Sequence, residues 1–402
     1  MNEQHPVAAE AGARAHDHHP TTGTPPPAAD AQTLDLRFTG SGSEYFRIWI
    51  VNLLLTLVTL TLYWPFARAR RIAYFQGNTL VGGDPLGFHA DPWRMFRGYL
   101  VVLLLGLVYW GVSKFVPQLA WLPFVLLMLV WPLLWRASLQ FRLHNTSWRG
   151  VRLAFEGDAK GAYLALLPLF VPGLVMVLAA PGLASGEPPN AAAARWVGAV
   201  VLGTLLVAAL CFPWLMARLK RYQHSGFAFA GERTRLYVGV RPFYGLYLRT
   251  GLLALLVVAV VVALVLGAMV LLRGALGGGA VWLAVLPVVI AYILIPLVVM
   301  PYAVARSQNL VWSATRSDRV RLHSALRYRD LLVLNARNWL LIALTLGLYW
   351  PFAKVHSARL RLQACTVAVQ GDVGDWVARA AAQRSGLLGD AAGDFFGLDV
   401  GL

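Results

Sequence analysis

The sequence Tyr63-Trp64-Pro65-Phe66-Ala67-Arg68 recurs near the end of the chain as Tyr349-Trp350-Pro351-Phe352-Ala353-Lys354. The correspondence extends backwards at constant spacing, so that residues 52–68 match residues 338–354 with 11 identities in 17 positions. Three looser copies lie between them, each with an apolar run, a bulky apolar residue followed by proline, and a cation three to five positions later. They contain Pro132, Pro213 and Pro301. The pattern predicts a chain built from tandem modules.

The composition predicts an integral membrane protein. Of the 402 residues 58% are hydrophobic and only 13% are charged. Six apolar segments approach or exceed the ~20 residues that cross a bilayer as a helix. They lie near 99–116, 119–135, 162–183, 196–217, 246–272 and 280–305. We expect a disordered tail at 1–35, a membrane domain at 36–372 and a C-terminal tail at 373–402.

The distribution of lysine and arginine predicts the orientation, because cytoplasmic loops retain positive charge. The connections 68–98, 136–160, 218–249 and 306–329 carry 23 of these cations, whereas the short connections within the helix pairs carry three. The large loops are therefore expected in the cytoplasm. The net charge of +16 follows this membrane pattern, so we expect membrane lipids as partners and no nucleic acid. Protein partners and the oligomeric state stay open.

The first and last apolar segments, 46–66 and 331–352, allow two topologies. If both cross the membrane, the chain has eight spans and both termini lie outside, against the charge rule. If both are re-entrant or interfacial, both termini are cytoplasmic. We favour the second topology because the last segment is interrupted by Arg337, which leaves it short of the ~30 Å hydrocarbon thickness.

The cytoplasmic connections contain strand patterns. Val151, Leu153 and Phe155 alternate with polar or small residues, which is typical of a half-buried strand. Since an isolated hairpin is barely stable in water, we expect the hairpins to pair into a small sheet or barrel under the membrane. The predicted fold class is an all-α polytopic membrane protein of tandem repeats, with small cytoplasmic β-hairpins between helix pairs.

Several motifs in combination resemble a known family. They are Phe38-x-Gly40 before Glu44-Tyr45-Phe46, the Thr-Leu-x-Leu-Tyr-Trp-Pro-Phe-Ala run at 59–67, Asn78-Thr79, and the stretch from Asn145 to Arg152. This set resembles the bacterial YjgN-like inner-membrane family. The resemblance covers roughly residues 36–372 and implies a multi-pass protein of the bacterial inner membrane. The family usually has glycine after the Thr-Leu pair; the second copy keeps it as Gly347, whereas the first has Thr61.

Matching polar residues within the end segments are the first candidate site. Asn52 and Thr59 correspond to Asn338 and Thr345, and each pair is seven residues apart and so on one helical face. Such residues line solute sites in repeat-built transporters, but they also serve as hydrogen-bonding glue between helices. Arg337 joins this candidate set as a cation inside an apolar segment; the alternative is that it snorkels to the interface.

The cations that follow each proline are the second candidate site. A ring of such cations under the bilayer is suited to binding anionic lipid headgroups. The alternative is that they only set the topology. These candidate residues are Arg68, Arg136, Arg218, Arg306 and Lys354.

The sequence contains no catalytic, cofactor or phosphate-loop motif, so we expect a protein that is not an enzyme, without a cofactor or a bound metal. The cluster His16, His18 and His19 lies in a polar tail that offers no preformed metal geometry. The favoured function is transport or permeation of a small solute. The alternative is a non-catalytic lipid-binding or scaffold protein.

Overall fold

A computed structural model describes residues 31–116, 119, 121–179, 191–272 and 280–387; the histidine cluster of the tail lies outside them. Within these ranges, six helical stretches are long and apolar enough to cross a membrane, and they coincide with the six apolar segments expected from the sequence. The helices that contain them are α3 Pro92–Phe115, α4 Trp121–His144, α5 Ala159–Ala179, α6 Ala191–His224, α7 Arg241–Leu272 and α8 Ala280–Leu294, the last continued by a π-helix, Ile295–Val299, and α9 Met300–Ser313.

Shorter helices stand at both ends of the chain. They are α1 Gly42–Val58, α2 Trp64–Gly77, α10 Tyr328–Leu344, α11 Trp350–Gln363 and α12 Val373–Leu387. The strands are β1 Ala31–Phe38, β2 Thr79–Val81, β3 Asp84–Phe88, β4 Thr146–Trp148, β5 Val151–Phe155, β6 Phe227–Phe229, β7 Glu232–Arg233, β8 Arg235–Leu236, β9 Thr315–Arg316, β10 Val320–Ser324 and β11 Cys365–Gln370. Thus β1 and α12 begin inside or at the boundary of the segments predicted as tails.

The strands form one antiparallel sheet of 11 strands, in the order β7-β6-β5-β4-β3-β2-β1-β11-β10-β9-β8. Its two edge strands, β7 and β8, follow each other in the chain with only Thr234 between them, so the sheet closes on itself like a barrel. The predicted all-α class is therefore wrong. The hypothesis that the hairpins pair with one another describes the observed sheet.

Each hairpin also pairs with the next one. The first residues of its second strand pair within the hairpin, and the later residues pair with the following hairpin. Asp84 and Pro85 of β3 pair with β2, whereas residues 86–88 pair with β4. The same change occurs within β5 and between β7 and β8. At the chain ends, residues 31–35 of β1 pair with β11 and residues 36–38 pair with β2. The first strand thus closes the ring against the last.

Tight turns set the hairpin register. Arg149 and Gly150 connect β4 to β5 and both have positive φ, as do Ala230 and Gly231 between β6 and β7. Two-residue turns with this conformation match the twist of antiparallel strands. One helix precedes each hairpin and another follows it, so both outer ends of the hairpin lie on the side of the helices. The turn of each hairpin therefore lies at the opposite end of the sheet.

The helices form a closed ring above the sheet. Consecutive helices pack against each other from α1 to α11, with α7 on α9, and α11 packs against α1. The prolines of the repeated motif are buried at these contacts, including Pro65, Pro132 and Pro351. Pro65 and Pro351 stand in the first turn of α2 and α11, where a missing N–H costs little.

The end segments are helical hairpins. A turn at residues 59–63 separates α1 from α2, and the corresponding turn at 345–349 separates α10 from α11. Both ends of each hairpin lie at the sheet, since β1 precedes α1 and its partner β2 follows α2. The tips are apolar and open, with Leu60 84% and Leu346 94% exposed.

Candidate functional site

A cavity of about 780 Å³ lies between α1, α2 and α11, where the first and last helical hairpins of the chain meet. Its lining combines aromatic and polar side chains. The aromatic residues are Tyr45, Trp49, Trp64, Phe75 and Trp350, and the polar residues are Asn52, Thr56, Arg68, Arg71, Gln76 and Lys354. A concave site with a few converging polar groups among apolar ones is the usual form of a small-ligand site.

Contacts between the two ends of the chain fix this cavity. The Phe46 ring on α1 packs against Phe352 on α11, with centroids 5.7 Å apart. Arg359 Nη2 donates a hydrogen bond of 2.8 Å to Gly40 O in front of α1. A capping box made by Ser41 and Glu44 starts α1 at this point. The cavity therefore depends on the closure of the ring by β1 and β11.

Asn52 is 8% exposed and faces the cavity from α1. Its Nδ2 donates a long hydrogen bond of 3.4 Å to Ala67 O, while its Oδ1 has no partner among the described residues. Gln76 repeats this arrangement: Nε2 donates to Thr146 Oγ1 at 3.0 Å, and Oε1 likewise has no partner within the described ranges. Two amide oxygens of the lining are thus buried without a protein hydrogen-bond donor.

Three cations, Arg68, Arg71 and Lys354, line the same cavity, and none of the described residues that line it is acidic. Lys354 Nζ lies 4.7 Å from the centroid of the Trp350 ring, a cation–π contact. Desolvation and the like charges of Arg71 and Arg361 lower the pKa of Lys354. Desolvation also lowers the pKa of Arg68, and Arg142 and Arg71 lower it further. The cations destabilise one another at this site.

A second cavity of about 350 Å³ lies next to the first, and Phe75 and Lys354 line both of them. It extends towards the sheet, where Cys365 begins β11. Its polar lining includes Gln308 and Arg361, which exchange two hydrogen bonds: Arg361 Nε donates to Gln308 Oε1 at 2.8 Å, and Gln308 Nε2 donates to Arg361 O at 3.0 Å. The polar interior thus runs from the helix ring towards the barrel.

The two threonines predicted at the site hold the hairpin tips instead. Thr59 Oγ1 donates to Leu55 O at 2.7 Å and accepts from Tyr63 N at 3.0 Å. Thr345 makes the corresponding bonds, to Leu341 O at 2.6 Å and from Tyr349 N at 3.0 Å. Neither threonine is part of the cavity lining.

Asn338 and Arg337 also lie apart from the cavity lining. Asn338 is 3% exposed in α10, and its Oδ1 has no partner among the described residues. Arg337 is exposed and lines a groove between α10 and α11 together with His356 and Arg359. Desolvation lowers the pKa of His356, and these two arginines lower it further. Of the predicted polar residues, the structure places Asn52 at the cavity.

The five cations after the prolines have different surroundings. Arg68 and Lys354 line the cavity. Arg136 Nε donates to Gly157 O at 2.7 Å. Arg218 and Arg306 lie over the rings of Trp214 and Tyr302, at 4.9 and 5.7 Å from the centroids. These contacts place only two of the five cations in one cavity.

Sequence reasoning did not assign Arg71 or Arg361 to a solute site. Arg71 is three residues after Arg68, and Arg361 is seven after Lys354, so each pair shares one helical face. This spacing is the sequence feature that points to both additional residues.

Comparison with known proteins defines the family. Residues 33–395 match a family model described as a bacterial protein of unknown function, DUF898. The chain belongs to this family. It is 27% identical over 365 residues to the inner membrane protein YjgN of Salmonella typhimurium, which covers 84% of the chain and 89% of that relative. A shorter match, 28% over 141 residues, links it to the protein of the same name from Escherichia coli O157:H7, with 35% of each chain covered. No solved structure matches this chain.

The family membership confirms the resemblance found in the sequence. Together with the six helices able to cross a membrane, it identifies a multi-pass protein of the bacterial inner membrane.

Proposed function

We propose that the protein binds a small solute in the cavity between α1, α2 and α11 and lets it permeate the inner membrane. The observation that carries this proposal is a cavity lined by three cations and by Asn52, whose Oδ1 is buried and has no donor among the described residues. An unpaired buried acceptor costs about 1–3 kcal/mol. A ligand that donates a hydrogen bond to it removes this cost.

The end hairpins support a re-entrant topology. Since α1 starts and α2 ends at the same sheet, the pair enters and leaves on one side, and so does the α10–α11 pair. We propose that both hairpins dip into the membrane from the cytoplasm and that both termini are cytoplasmic. Interrupted segments of this kind form solute sites in transporters.

A recurring order of elements also supports a path within a single chain. A strand pair stands between two helices at β2–β3, β4–β5 and β9–β10, the three strands β6–β8 occupy the same kind of position, and the pairing of β11 with β1 supplies a fifth equivalent. We propose that these are five copies of one module arranged around a common axis. The second cavity lies along this interior, between the helix ring and the sheet.

Lipid binding without transport is the second candidate. The observation that favours it is the pair Trp64 and Trp350, which are both partly exposed and line the same cavity as the cations. An acyl chain beside the tryptophans and a headgroup at the cations fit this amphipathic lining. Both candidates describe a protein that is not an enzyme.

Cysteine accessibility separates the two candidates. In a background with Cys211→Ala and Cys365→Thr, Asn52→Cys is treated with a membrane-impermeant thiol reagent from each side of the membrane. Permeation predicts modification from both sides, whereas lipid binding alone predicts it from at most one. Leu54→Cys is the matched control, because Leu54 is an exposed apolar residue two positions away on α1. If Asn52→Cys in the folded protein reacts from one side only or from neither, the permeation proposal fails.

A further inference from the structure

We propose that the solute, taken up at the site assigned under the proposed function, is a small oxyanion that also carries a hydroxyl group, such as hydrogen phosphate. Its charged oxygens would bind Arg68, Arg71 and Lys354, and its hydroxyl would donate to Asn52 Oδ1.

The charge of the cavity favours an anion. The three cations come from two helices that are far apart in the chain, so the fold itself brings like charges into one cavity. Three ion pairs within the described part of the chain lie outside the cavity lining: Arg37 with Asp35, Arg149 with Asp84, and Arg319 with Glu232. Clefts lined by one sign of charge attract a ligand of the opposite sign. Arginine side chains are suited to phosphate and carboxylate because their N–H groups match paired oxygens.

Further cations lie near those that line the cavity. Arg68 is close enough to Arg142 of α4, and Lys354 close enough to Arg361, for each pair to repel. Arg361 in turn lines the second cavity. An anion that leaves the first cavity therefore meets further positive charge in the direction of the sheet.

The Oδ1 of Asn52, to which no described residue donates, favours an anion that can also donate a hydrogen bond. A fully deprotonated oxyanion has no proton to offer Asn52 Oδ1, so the acceptor would stay unsatisfied. A monoprotonated phosphate or a hydroxylated carboxylate supplies both the negative charge and the donor. The headgroup of phosphatidylglycerol also carries a negative charge and hydroxyl donors. The experiment therefore includes this lipid as a second source of the oxyanion.

The test uses the purified full-length protein and follows thermal unfolding with inorganic phosphate against chloride at equal ionic strength. Phosphate should raise the unfolding temperature, and the apparent affinity should fall by about 30-fold or more in Arg68→Gln and in Lys354→Met. Arg70→Gln is the matched control, because Arg70 lies on the same helix over the Tyr63 ring and outside the cavity lining. It should retain the wild-type response.

Nanodiscs with phosphatidylglycerol, compared with phosphatidylcholine, distinguish the source of the oxyanion. A response to phosphatidylglycerol alone, lost in Lys354→Met, supports the oxyanion site while removing support for solute permeation. A response to neither phosphate nor phosphatidylglycerol overturns the inference, and so does a response that all three variants retain. The cysteine test of permeation can succeed independently of these results.

A separate observation assigns a second role, to α12. We infer that this helix closes the end of the barrel that points away from the membrane. Val373, Trp376 and Val377 are buried in one apolar cluster with strand residues. The cluster draws on strands from around the sheet: Val81, Leu86, Trp148, Val151, Phe229, Val320 and Val369. Trp376 Nε1 also donates to Ala230 O in a hairpin turn, at 3.2 Å.

The consequence is that a solute leaving through the barrel requires α12 to move. Cys365 is a natural reporter, because it is 2% exposed and lines the second cavity. In the Cys211→Ala background, a chain ending at Asp372 and the variant Trp376→Ala should both show Cys365 modified several-fold faster than the full chain, with an unchanged helical circular dichroism spectrum. Equal rates in the full chain and in folded Trp376→Ala would overturn the inference, whether or not the truncated chain folds.

Discussion

Gly42 on α1 lies so close to Phe352 on α11 that a Cβ at position 42 would overlap the phenyl ring. This contact joins the first helical hairpin to the last, beside the β1–β11 pairing and the Phe46–Phe352 ring contact. The close approach brings Trp350 and Lys354 of α11 to the cavity that α1 and α2 line. The absence of a side chain at one position thus shapes the candidate site.

We predict that Gly42→Val destabilises the protein by about 1–3 kcal/mol, because the added groups force α1 away from α11. Urea unfolding in detergent measures this change. Gly106→Ala is the control: nothing lies within 4 Å of a Cβ there, and alanine favours the helix by up to about 1 kcal/mol. Equal stabilities of Gly42→Val and wild type would contradict the close packing of α1 and α11.

We predict that Asn52→Leu leaves the stability unchanged or raises it, while the response to phosphate weakens. The substitution removes a buried oxygen without a donor, whose burial costs about 1–3 kcal/mol, and gives up only the long bond to Ala67 O. The same unfolding experiment with and without phosphate measures both effects. A marked loss of stability would instead identify Asn52 as a structural hydrogen-bonding residue.

We predict that Thr59→Val and Thr345→Val each destabilise the protein by about 1–2 kcal/mol, because each loses the bonds that hold a hairpin tip. Their phosphate affinities should equal that of wild type, since neither residue lines the cavity. Thr→Ser at the same positions keeps the hydroxyl and should restore the stability. A large loss of phosphate affinity in Thr59→Val, with normal stability, would show that Thr59 contributes to the solute site after all.

We predict that phosphate affinity falls at alkaline pH before free lysine would lose its proton. The pKa of Lys354 is lowered from 10.5 by desolvation and by Arg71 and Arg361, so the protonated form is the destabilised one in the folded protein. A bound anion stabilises the protonated amine of Lys354, so binding is coupled to the uptake of a proton by this side chain. The affinity for phosphate is therefore lost as the pH rises through the lowered pKa. Isothermal titration at several pH values measures this trend, and in Lys354→Met the trend should disappear.

We predict that the tips of the end hairpins are inaccessible to water. Arg149→Cys, in an exposed hairpin turn, should react with an impermeant thiol reagent only from the cytoplasmic side, and Leu346→Cys from neither side. Modification of Leu346→Cys from the periplasm would show that the α10–α11 hairpin crosses the bilayer. Modification from the cytoplasm would show that it lies at the surface.

The sequence predicted the six long helices because their apolar runs are continuous over ~20 residues. It also predicted strands at Val151–Phe155, where the alternation covers five residues. The expectation that the hairpins pair into a small sheet or barrel describes the observed sheet, but the size and strand order of that sheet could not be predicted, because β7, β8 and β9 have two residues each and carry no measurable periodicity. Their pairing depends on contacts between distant parts of the chain, so the extent of the sheet was underestimated and the all-α class was wrong.

The candidate site was only partly predictable for related reasons. Matching positions identified Asn52 and Thr59 as unusual, yet the two residues differ in role because one faces the cavity and the other ends α1 at a sharp turn. The turn itself was hidden: Thr61 adopts a positive φ of 75° where Gly347 has 94°, so no glycine marks it. A hydrogen bond of 3.0 Å between Thr61 Oγ1 and Tyr99 OH accompanies this strained conformation.

The most direct test of the solute site is protection of Thr56→Cys by phosphate, because Thr56 lines the cavity and is not one of the residues assigned to the anion. The rate of its modification by an impermeant thiol reagent is measured in membranes at increasing inorganic phosphate, with chloride at equal ionic strength as the reference. We predict a saturable decrease in rate that is absent in Thr56→Cys combined with Lys354→Met. A cysteine that reacts at the same rate with and without phosphate, or that does not react at all, would contradict the account.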